Sequence, residues 1–207
     1  MSAEEALELL DWKRRVFASY AAVRDAADPA KAWVRWRDTR DELFRTHPQS
    51  PLPSGGRAVF AGLEYFPYDP ELRVEAEVEP AEREPCEIAG SAGPATLFRR
   101  FGRARFELGG APYALELYWL EGYGGGVFLP FGDWTGGRDT YGGGRYLLDT
   151  VKGADLGGGA ASLVLDFNFA YNPSCSYDPR WACPLTPSAN RLPVEIRAGE
   201  RHRAASV

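Results

Sequence analysis

The spacing of apolar residues predicts a helix over residues 2–25. Its apolar positions recur at helical spacing, at Leu7, Leu10, Phe17 and Ala21. Ser2 and Glu5 fit a capping box, in which the serine hydroxyl and the glutamate carboxylate each accept a hydrogen bond from a free backbone N–H of the first turn. The chain is therefore expected to begin with a capped amphipathic helix.

A second helix is predicted from Pro29 to about Arg45. Asp28 supplies an N-cap, and proline suits the first turn because its missing N–H would have no partner there. The apolar stripe of this helix consists of Trp33, Trp36, Leu43 and Phe44. Arginines at 35, 37, 40 and 45 alternate with acidic residues, which favours a solvent-exposed face over a binding patch. The segment HPQSPLPSGG, residues 47–56, is rich in proline and glycine and predicts a linker.

From residue 57 the apolar residues alternate with a period of two, which is typical of strands. Residues 100–108 and 111–119 flank Gly109 and Gly110, which predict a two-residue turn with positive φ angles. The resulting hairpin pairs Phe106 with Tyr113, Ala104 with Leu115, and, on its other face, Arg103 with Glu116. Apolar pairs on one face and opposite charges on the other support this register.

A second hairpin is expected around the turn PYDP, residues 67–70. It places Leu63 opposite Val74, Tyr65 opposite Leu72, and Glu64 opposite Arg73. Further strands are expected at 127–131, 145–149, 162–171 and 192–199.

These elements predict an α+β fold in a single domain, residues 1–207. Two N-terminal helices (segment 1–46) are followed by the linker and by a β-barrel-like body at 57–207. The body is an antiparallel meander of about eight strands, which we expect to curl into a barrel or half-barrel because curling protects sheet edges.

Composition excludes several classes of function. The net charge is −5 with both signs interspersed, so no basic patch for nucleic acid or a membrane surface is predicted. No apolar run approaches the ~20 residues of a membrane span, and the acidic N-terminus is not a secretory signal. We therefore expect a soluble cytoplasmic protein with no nucleic-acid or membrane partner.

No cofactor or metal is predicted. The glycines of TYGGGRYL, residues 140–147, precede a strand, whereas nucleotide-binding glycine loops precede a helix and Walker loops contain GK. Cys175 and Cys183 could be buried thiols, which we favour, or a disulfide, which is unexpected in a reducing compartment. A zinc site is disfavoured because the only histidines, His47 and His202, are distant in sequence, and no base for a nucleophilic cysteine lies nearby.

The strongest signal for a site is a cluster of asparagines. All three, Asn168, Asn172 and Asn190, lie within residues 165–190, as do Cys175 and Cys183. Strand alternation puts Asp166, Asn168 and Asn172 on one face, although aspartate and asparagine are poor strand formers. This polar row either faces solvent and ends in an Asn-Pro turn, or lines the barrel and binds a ligand.

A hairpin between residues 145–149 and 162–166 would put Arg145 directly opposite Asp166. The pair would be either a structural salt bridge or a guanidinium positioned to hold a carboxylate or phosphate. Asp133 and Tyr141 could reach the same cavity rim.

Two long segments resemble a known family. FGDWTGGRDTYGGGRYL (131–147) and LDFNFAYNPSCSYDPRWACPLTPSANRLPVEIRAGER (165–201) look like the uncharacterised domain-of-unknown-function family 1684. The family's motif includes Asp133, Thr135, Tyr141, Arg145, Asp166, Asn168, Asn172, Cys175, Cys183 and Asn190. The resemblance implies a soluble protein and brings no established activity, cofactor or catalytic residue.

Three functions remain open. The first is a β-barrel that binds a small polar or anionic molecule, with Trp134 as an additional wall and a site formed by Arg145, Asp166, Asn168, Asn172, Tyr141, Asp133, Cys175 and Asn190. The second is a hydrolase-type enzyme in which Asp166 acts as acid or base, Arg145 stabilises negative charge, and Asn168 or Asn172 serves as an oxyanion donor. The third is an interaction protein in which the polar cluster only clasps the C-terminal segment to the barrel and Trp33, Trp36 and Trp134 form a partner surface.

Overall fold

The computed structural model describes residues 1–53 and 55–202. It begins with the two predicted helices, α1 (Ala3–Arg24) and α2 (Pro29–Thr46). The capping box is confirmed, since the Ser2 hydroxyl accepts a hydrogen bond from Glu5 N at 3.1 Å and the Glu5 carboxylate accepts one from Ser2 N at 2.6 Å. Asp28 caps α2 by accepting a hydrogen bond from Lys31 N at 3.1 Å.

The apolar face was predicted correctly for α2 and wrongly for α1. Helix α2 buries Trp33, Trp36, Leu43 and Phe44. In α1, the predicted stripe is largely exposed, with Leu7 67% and Phe17 46% accessible. A second stripe packs inward instead, at Val16, Tyr20 and Val23. Apolar residues lie on more than one side of α1, so the spacing alone does not determine which side is buried.

Six strands form one antiparallel sheet. They are β1 (Arg73–Ile88), β2 (Thr96–Leu108), β3 (Ala111–Leu120), β4 (Gly126–Phe131), β5 (Arg145–Asp149) and β6 (Ser162–Asp166). Their order is β5-β4-β3-β2-β1-β6. With the two helices, this curled sheet confirms the α+β half-barrel, with six strands rather than about eight.

The β2–β3 hairpin has the predicted register. Phe106 pairs with Tyr113, Ala104 with Leu115, and Arg103 with Glu116. Gly109 and Gly110 have φ angles of 57° and 77°, in the left-handed region that a side chain disfavours. Local turn chemistry and cross-strand pairing agreed here, and the register followed from both.

The hairpin predicted around PYDP is wrong. Strand β1 pairs with β2 on one side and β6 on the other, and residues 58–66 form no strand. Tyr65 instead makes an isolated bridge to Glu200, and Leu63 N donates to the Asp41 carboxylate at 2.9 Å. The alternating pattern of this segment is thus satisfied by α2 and the C-terminal segment, which are both distant in sequence.

The predicted hairpin between 145–149 and 162–166 is also wrong, because β5 and β6 occupy opposite edges of the sheet. Strand β6 pairs with β1, and Asp166 lies opposite Arg73. After β6 the chain returns to β5, where the backbones of Tyr171 and Tyr146 exchange two hydrogen bonds of 3.1 and 2.8 Å. This bridge connects the two edges and maintains the curl of the half-barrel.

The main core lies between the sheet and α2. It combines Trp33 and Trp36 with strand residues such as Leu115, Leu129 and Phe131. A smaller cluster is formed by Ile88, Phe98, Tyr118, Phe128 and Tyr146. Within the described part of the chain, neither helix is long and apolar enough to cross a membrane.

Candidate functional site

Arg145 is buried in an ion pair, but its partner is Asp133 and not Asp166. The Arg145 side chain is 1% exposed, and its Nη2 lies 3.2 Å from Asp133 Oδ2. Nη2 also donates to Ile196 O at 3.0 Å, and Nη1 donates to Ala198 O. Burial lowers the pKa of Arg145 to about 10, although Asp133 opposes this shift. The guanidinium therefore remains charged at neutral pH and fastens residues 196–198 to β5.

The predicted Arg145–Asp166 pair fails because the two strands are not neighbours. Asp166 instead begins a tight turn, accepting hydrogen bonds from Asn168 N at 3.0 Å and Asn168 Nδ2 at 2.8 Å. Arg73 Nε lies 3.7 Å from its carboxylate. Burial raises the pKa of Asp166, which these hydrogen bonds partly offset.

The polar row predicted along residues 166–172 is interrupted. Strand β6 ends at Asp166, and residues 167–169 form a 3-10 turn in which Phe167, Asn168 and Phe169 are all buried. Asn168 Oδ1 accepts from Asp69 N and its Nδ2 donates to Asp69 O, both at 2.8 Å. The Asn168 amide thus pairs with Asp69 as a second strand would, which explains an asparagine at this buried position.

Asn190 has the same kind of role at strands β3 and β4. Its Oδ1 accepts from Glu116 N at 2.8 Å, and its Nδ2 donates to Glu116 O at 3.0 Å and Pro130 O at 2.8 Å. The side chain therefore connects β3, β4 and the C-terminal segment. For Asn168 and Asn190, the geometry favours the predicted clasp over direct ligand contact.

Asn172 lies beside a buried carboxylate that the sequence did not reveal. Glu200 Oε2 accepts from Arg40 Nη2 at 2.8 Å and from Asn172 N at 3.1 Å, and Tyr177 Oη donates to Oε1. Burial raises the pKa of Glu200, while Arg40 opposes the shift. The charge pattern of α2 predicts a solvent-exposed Arg40. Arg40 is instead drawn inward by a partner 160 residues away, and its Cζ lies 5.0 Å from the ring centroids of both Trp36 and Tyr171.

A cavity of about 90 Å³ opens next to this ion pair. It lies between the two helices, β5 and residues 171–177, with Lys152 and Cys183 also in its wall. Asn172 Nδ2 donates to Arg201 O at 3.0 Å, but Asn172 Oδ1 has no hydrogen-bond partner among the described residues. The Tyr20 hydroxyl, beside the Trp36 indole, likewise makes no hydrogen bond of normal geometry in residues 1–53 and 55–202. Tyr20 is 2% exposed and Asn172 3%.

Cys175 and Cys183 are free thiols that lie against each other. Cys175 N donates to Cys183 Sγ at 3.4 Å, and Tyr141 Oη lies 3.7 Å from Cys175 Sγ. A hydrogen bond from the Cys183 thiol is the main cause that lowers the pKa of Cys175 to about 6, with further contributions from Ser91 and Tyr141. The same thiol–thiol bond raises the pKa of Cys183 well above its ordinary value. The favoured prediction of buried thiols holds for Cys183, whereas Cys175 is only half-buried.

The fold brings a histidine to Tyr141, the tyrosine beside Cys175. The ring of His202 packs edge-on against Tyr141, with centroids 5.4 Å apart, and burial lowers the pKa of His202. Ser91 accepts from Cys183 N at 3.1 Å. Neither His202 nor Ser91 was predicted from the sequence, because both lie outside the segment 165–190 that indicated the site. Among the residues that the structure describes, no group of three or more His, Cys, Asp or Glu side chains could hold a metal ion.

The eight side chains predicted as one site therefore belong to separate groups. Arg145 and Asp133 form one pair, Asp166 and Asn168 another, and Asn190 a third group. Asn172 lines the cavity. Cys183 also lines it, Cys175 contacts Cys183, and Tyr141 contacts Cys175. The hydrolase-type hypothesis loses its central pair, because Asp166 and Arg145 have different partners.

The chain matches known sequences and structures. Residues 58–201 match the family profile described as a protein of unknown function, DUF1684. The chain is also similar to the solution NMR structure of an uncharacterised protein from Haloarcula marismortui, with 36% identity and a TM-score of 0.60. That similarity covers 83% of this chain and 92% of the other. No curated protein matches this chain significantly. The resemblance noted from the sequence is thus confirmed, and the chain belongs to the DUF1684 family.

Proposed function

We propose that this protein binds a small polar or anionic molecule in the cavity between α1, α2 and residues 171–177. The observation that carries the proposal is the pair of buried oxygens there, Asn172 Oδ1 and Tyr20 Oη, which lack partners among the described residues. A buried polar group without a hydrogen bond costs roughly 1–3 kcal/mol. A ligand that bonds both atoms would recover that energy.

The polar groups in the wall define the ligand's chemistry. Asn172 Oδ1 can only accept, so the ligand presents an N–H or O–H to it, while the Tyr20 hydroxyl can donate or accept. Arg40 and Lys152 supply positive charge, but Glu200 and Asp149 pair with them at 2.8 and 3.1 Å. This balance supports a neutral amide, or a hydroxylated molecule with a single negative charge, over a phosphate.

The cavity volume limits ligand size and affinity. An apolar cavity of ~150 Å³ binds benzene, so a cavity of about 90 Å³ holds about four non-hydrogen atoms. The ceiling of ~1.5 kcal/mol per atom then gives about 6 kcal/mol, a Kd of tens of micromolar at best. Acetamide, which has four such atoms with one donor group and one acceptor, is the appropriate probe.

The remaining predicted residues support this site indirectly in the proposal. Arg145 and Asp133 hold β5, Asn168 holds the turn that precedes Tyr171, and Asn172 is the predicted residue that contacts the ligand. Substituting one of the supporting residues should therefore lower the stability of the fold more than it changes the ligand specificity of the cavity.

The test is an NMR titration of the full chain with acetamide, and with acetate as a probe that lacks a donor. We expect saturable shifts at the cavity residues with acetamide, and weaker or absent shifts with acetate. Tyr20→Phe removes only the unpartnered hydroxyl and should weaken acetamide binding about fivefold to tenfold, the effect of one hydrogen bond. Tyr118→Phe is the matched control, because Tyr118 is buried in the separate cluster with Phe98 and Phe128.

A cavity-filling variant provides a second check. Ala154 is buried and lines the cavity, so Ala154→Val should abolish binding by reducing the volume, and circular dichroism checks that the variant folds despite the added methyl groups. Binding of acetamide that survives both Tyr20→Phe and Ala154→Val would contradict the proposed location. The absence of saturable shifts in the unmodified protein would contradict binding of this probe class.

A further inference from the structure

The half-buried Cys175 and the buried Cys183 are arranged asymmetrically. They lie only eight positions apart in the chain, and the Cys175 backbone N–H already contacts Cys183 Sγ at 3.4 Å. Cys175 is partly accessible to solvent, whereas Cys183 is buried and lines the 90 Å³ cavity. Cys175 is therefore accessible to a reagent from solvent, and Cys183 is positioned to react with Cys175.

The groups around Cys175 stabilise its thiolate. Tyr141 Oη, 3.7 Å away, is a hydrogen-bond donor, because burial raises the pKa of Tyr141 to about 12 and the hydroxyl keeps its proton. The Cys183 thiol and the nearby Ser91 hydroxyl also lower the pKa of Cys175. On the Cys183 side lies Lys152, whose charge is shared with Asp149 at 3.1 Å. The pKa of about 6 for Cys175 agrees with this arrangement, and such thiolates are the reactive form of cysteine.

We propose that Cys175 and Cys183 form a peroxide-reducing dithiol, in which Cys175 attacks a hydroperoxide and Cys183 resolves the product to a disulfide. This activity goes beyond small-molecule binding and does not depend on the Tyr20 and Asn172 contacts. The substrate class is hydrogen peroxide or a small alkyl hydroperoxide.

The chemistry balances in two steps. The Cys175 thiolate attacks the terminal peroxide oxygen, forming an S–O bond as the O–O bond breaks. Sulfur is oxidised to sulfenic acid, and the departing oxygen takes up a proton and leaves as water or an alcohol. Cys183 then loses its proton and attacks the Cys175 sulfur, forming the S–S bond while the S–O bond breaks and water leaves.

Return to the dithiol requires two electrons from an external dithiol reductant. One of its thiolates attacks the disulfide, and its second thiol releases the reduced protein through a mixed disulfide. Cys183 is the better-shielded sulfur, so Cys175 is the site where that mixed disulfide forms.

The experiment treats the reduced, full-length protein with stoichiometric hydrogen peroxide. Thiol titration and peptide mapping should show the loss of two thiols and a Cys175–Cys183 disulfide, with Cys86 still reduced. Cys86 is an internal control in the same molecule, because it is also partly buried but burial raises its pKa. Alkylation by iodoacetamide at pH 7 should be at least about threefold faster at Cys175 than at Cys86. The Cys175 rate should be half-maximal near pH 6, since it follows the thiolate population.

Variants separate the two roles. Cys183→Ser should accumulate a Cys175 sulfenic acid that dimedone traps, and Tyr141→Phe should shift the alkylation profile to higher pH. Tyr118→Phe, in the separate cluster, should leave oxidation unchanged. Acetamide binding is measured without reference to the thiols, so failure of the cavity proposal is distinguishable from failure of this one. Oxidation of Cys86 at the same rate as Cys175 would overturn the proposal, as would thiol loss that occurs only after denaturation. Both outcomes are read in the unmodified protein, so they do not depend on whether any variant folds.

Discussion

The ion pairs Arg145–Asp133 and Arg40–Glu200 occupy the interior of the same half-barrel but differ in their surroundings. Around the first pair, backbone carbonyls and the Phe131 ring fill the space, and the ring centroid lies 4.9 Å from the Arg145 guanidinium carbon. Among the described residues, neither Arg145 nor Asp133 has a buried polar atom without a partner. Beside the second pair there is a cavity, and the amide oxygen of Asn172 is unpartnered within the described chain.

This difference indicates what each pair contributes. A fully bonded polar group has no capacity left for a ligand, so the energy of its contacts goes into holding segments together. A buried acceptor beside a cavity costs stability unless another molecule completes it. The sequence gives the residue types around both ion pairs. Only the structure shows whether every buried polar atom there has a hydrogen-bond partner, which distinguishes a structural clasp from a binding site.

The largest effect is expected at the saturated pair. Arg145→Ala leaves the Asp133 carboxylate buried without its cation and removes the hydrogen bonds to residues 196 and 198. Breaking a buried pair in this way destabilises by ~3–5 kcal/mol, which lowers the melting temperature by about 10 °C in a chain of this size. Circular dichroism during thermal unfolding measures the shift.

The matched control is Arg138→Ala. Arg138 also pairs with a carboxylate, Glu195 at 2.5 Å, but both side chains are exposed. Exposed pairs contribute little, so this variant should melt close to the unmodified protein. Equal melting temperatures for the two variants would mean that burial of Arg145 does not make its pair structural.

The second prediction applies one substitution to two asparagines. Asn190→Ala removes three hydrogen bonds and leaves Glu116 N and the carbonyls of Glu116 and Pro130 unpaired, at a cost of about 2–4 kcal/mol. Asn172→Ala removes one side-chain hydrogen bond, to Arg201 O, and should cost about 1 kcal/mol. Urea titration of both variants measures the two free energies of unfolding. A larger loss for Asn172→Ala would show that its amide oxygen is already bonded in the folded protein.

The fold was predictable where local signals agreed with each other. The caps at Ser2 and Asp28 and the Gly109–Gly110 hairpin each depend on neighbours in sequence, and all three were correct. The PYDP hairpin failed because an alternating segment and a turn do not specify which strand will be the partner. Strand β1 took its neighbours from β2 and from β6, which lies about 90 residues further along the chain.

The site was predictable as a region but not as a geometry. The concentration of asparagines indicated residues 165–190, and Asn172 and Cys183 from that region do line the cavity. Their companions Tyr20, Arg40 and Lys152 come from helices and a loop with unremarkable local sequence. The Arg145–Asp166 pairing rested on a hairpin between strands that are adjacent in sequence, whereas the chain places those strands at opposite edges.

The smallest expected effect distinguishes the two regions most directly. Tyr20→Phe deletes a buried hydroxyl with no partner of normal geometry in the described chain, so stability should stay within about 0.5 kcal/mol or increase. Tyr146→Phe deletes a hydroxyl that donates to Pro184 O at 2.6 Å and should cost about 1–2 kcal/mol. Both tyrosines line the same cavity, so the two losses differ only in the hydrogen bond. If Tyr20→Phe destabilised as much as Tyr146→Phe, its hydroxyl would already be bonded, for example to the Trp36 indole. The cavity would then offer a ligand Asn172 alone, and the contrast with the Arg145 pair would depend on that single oxygen.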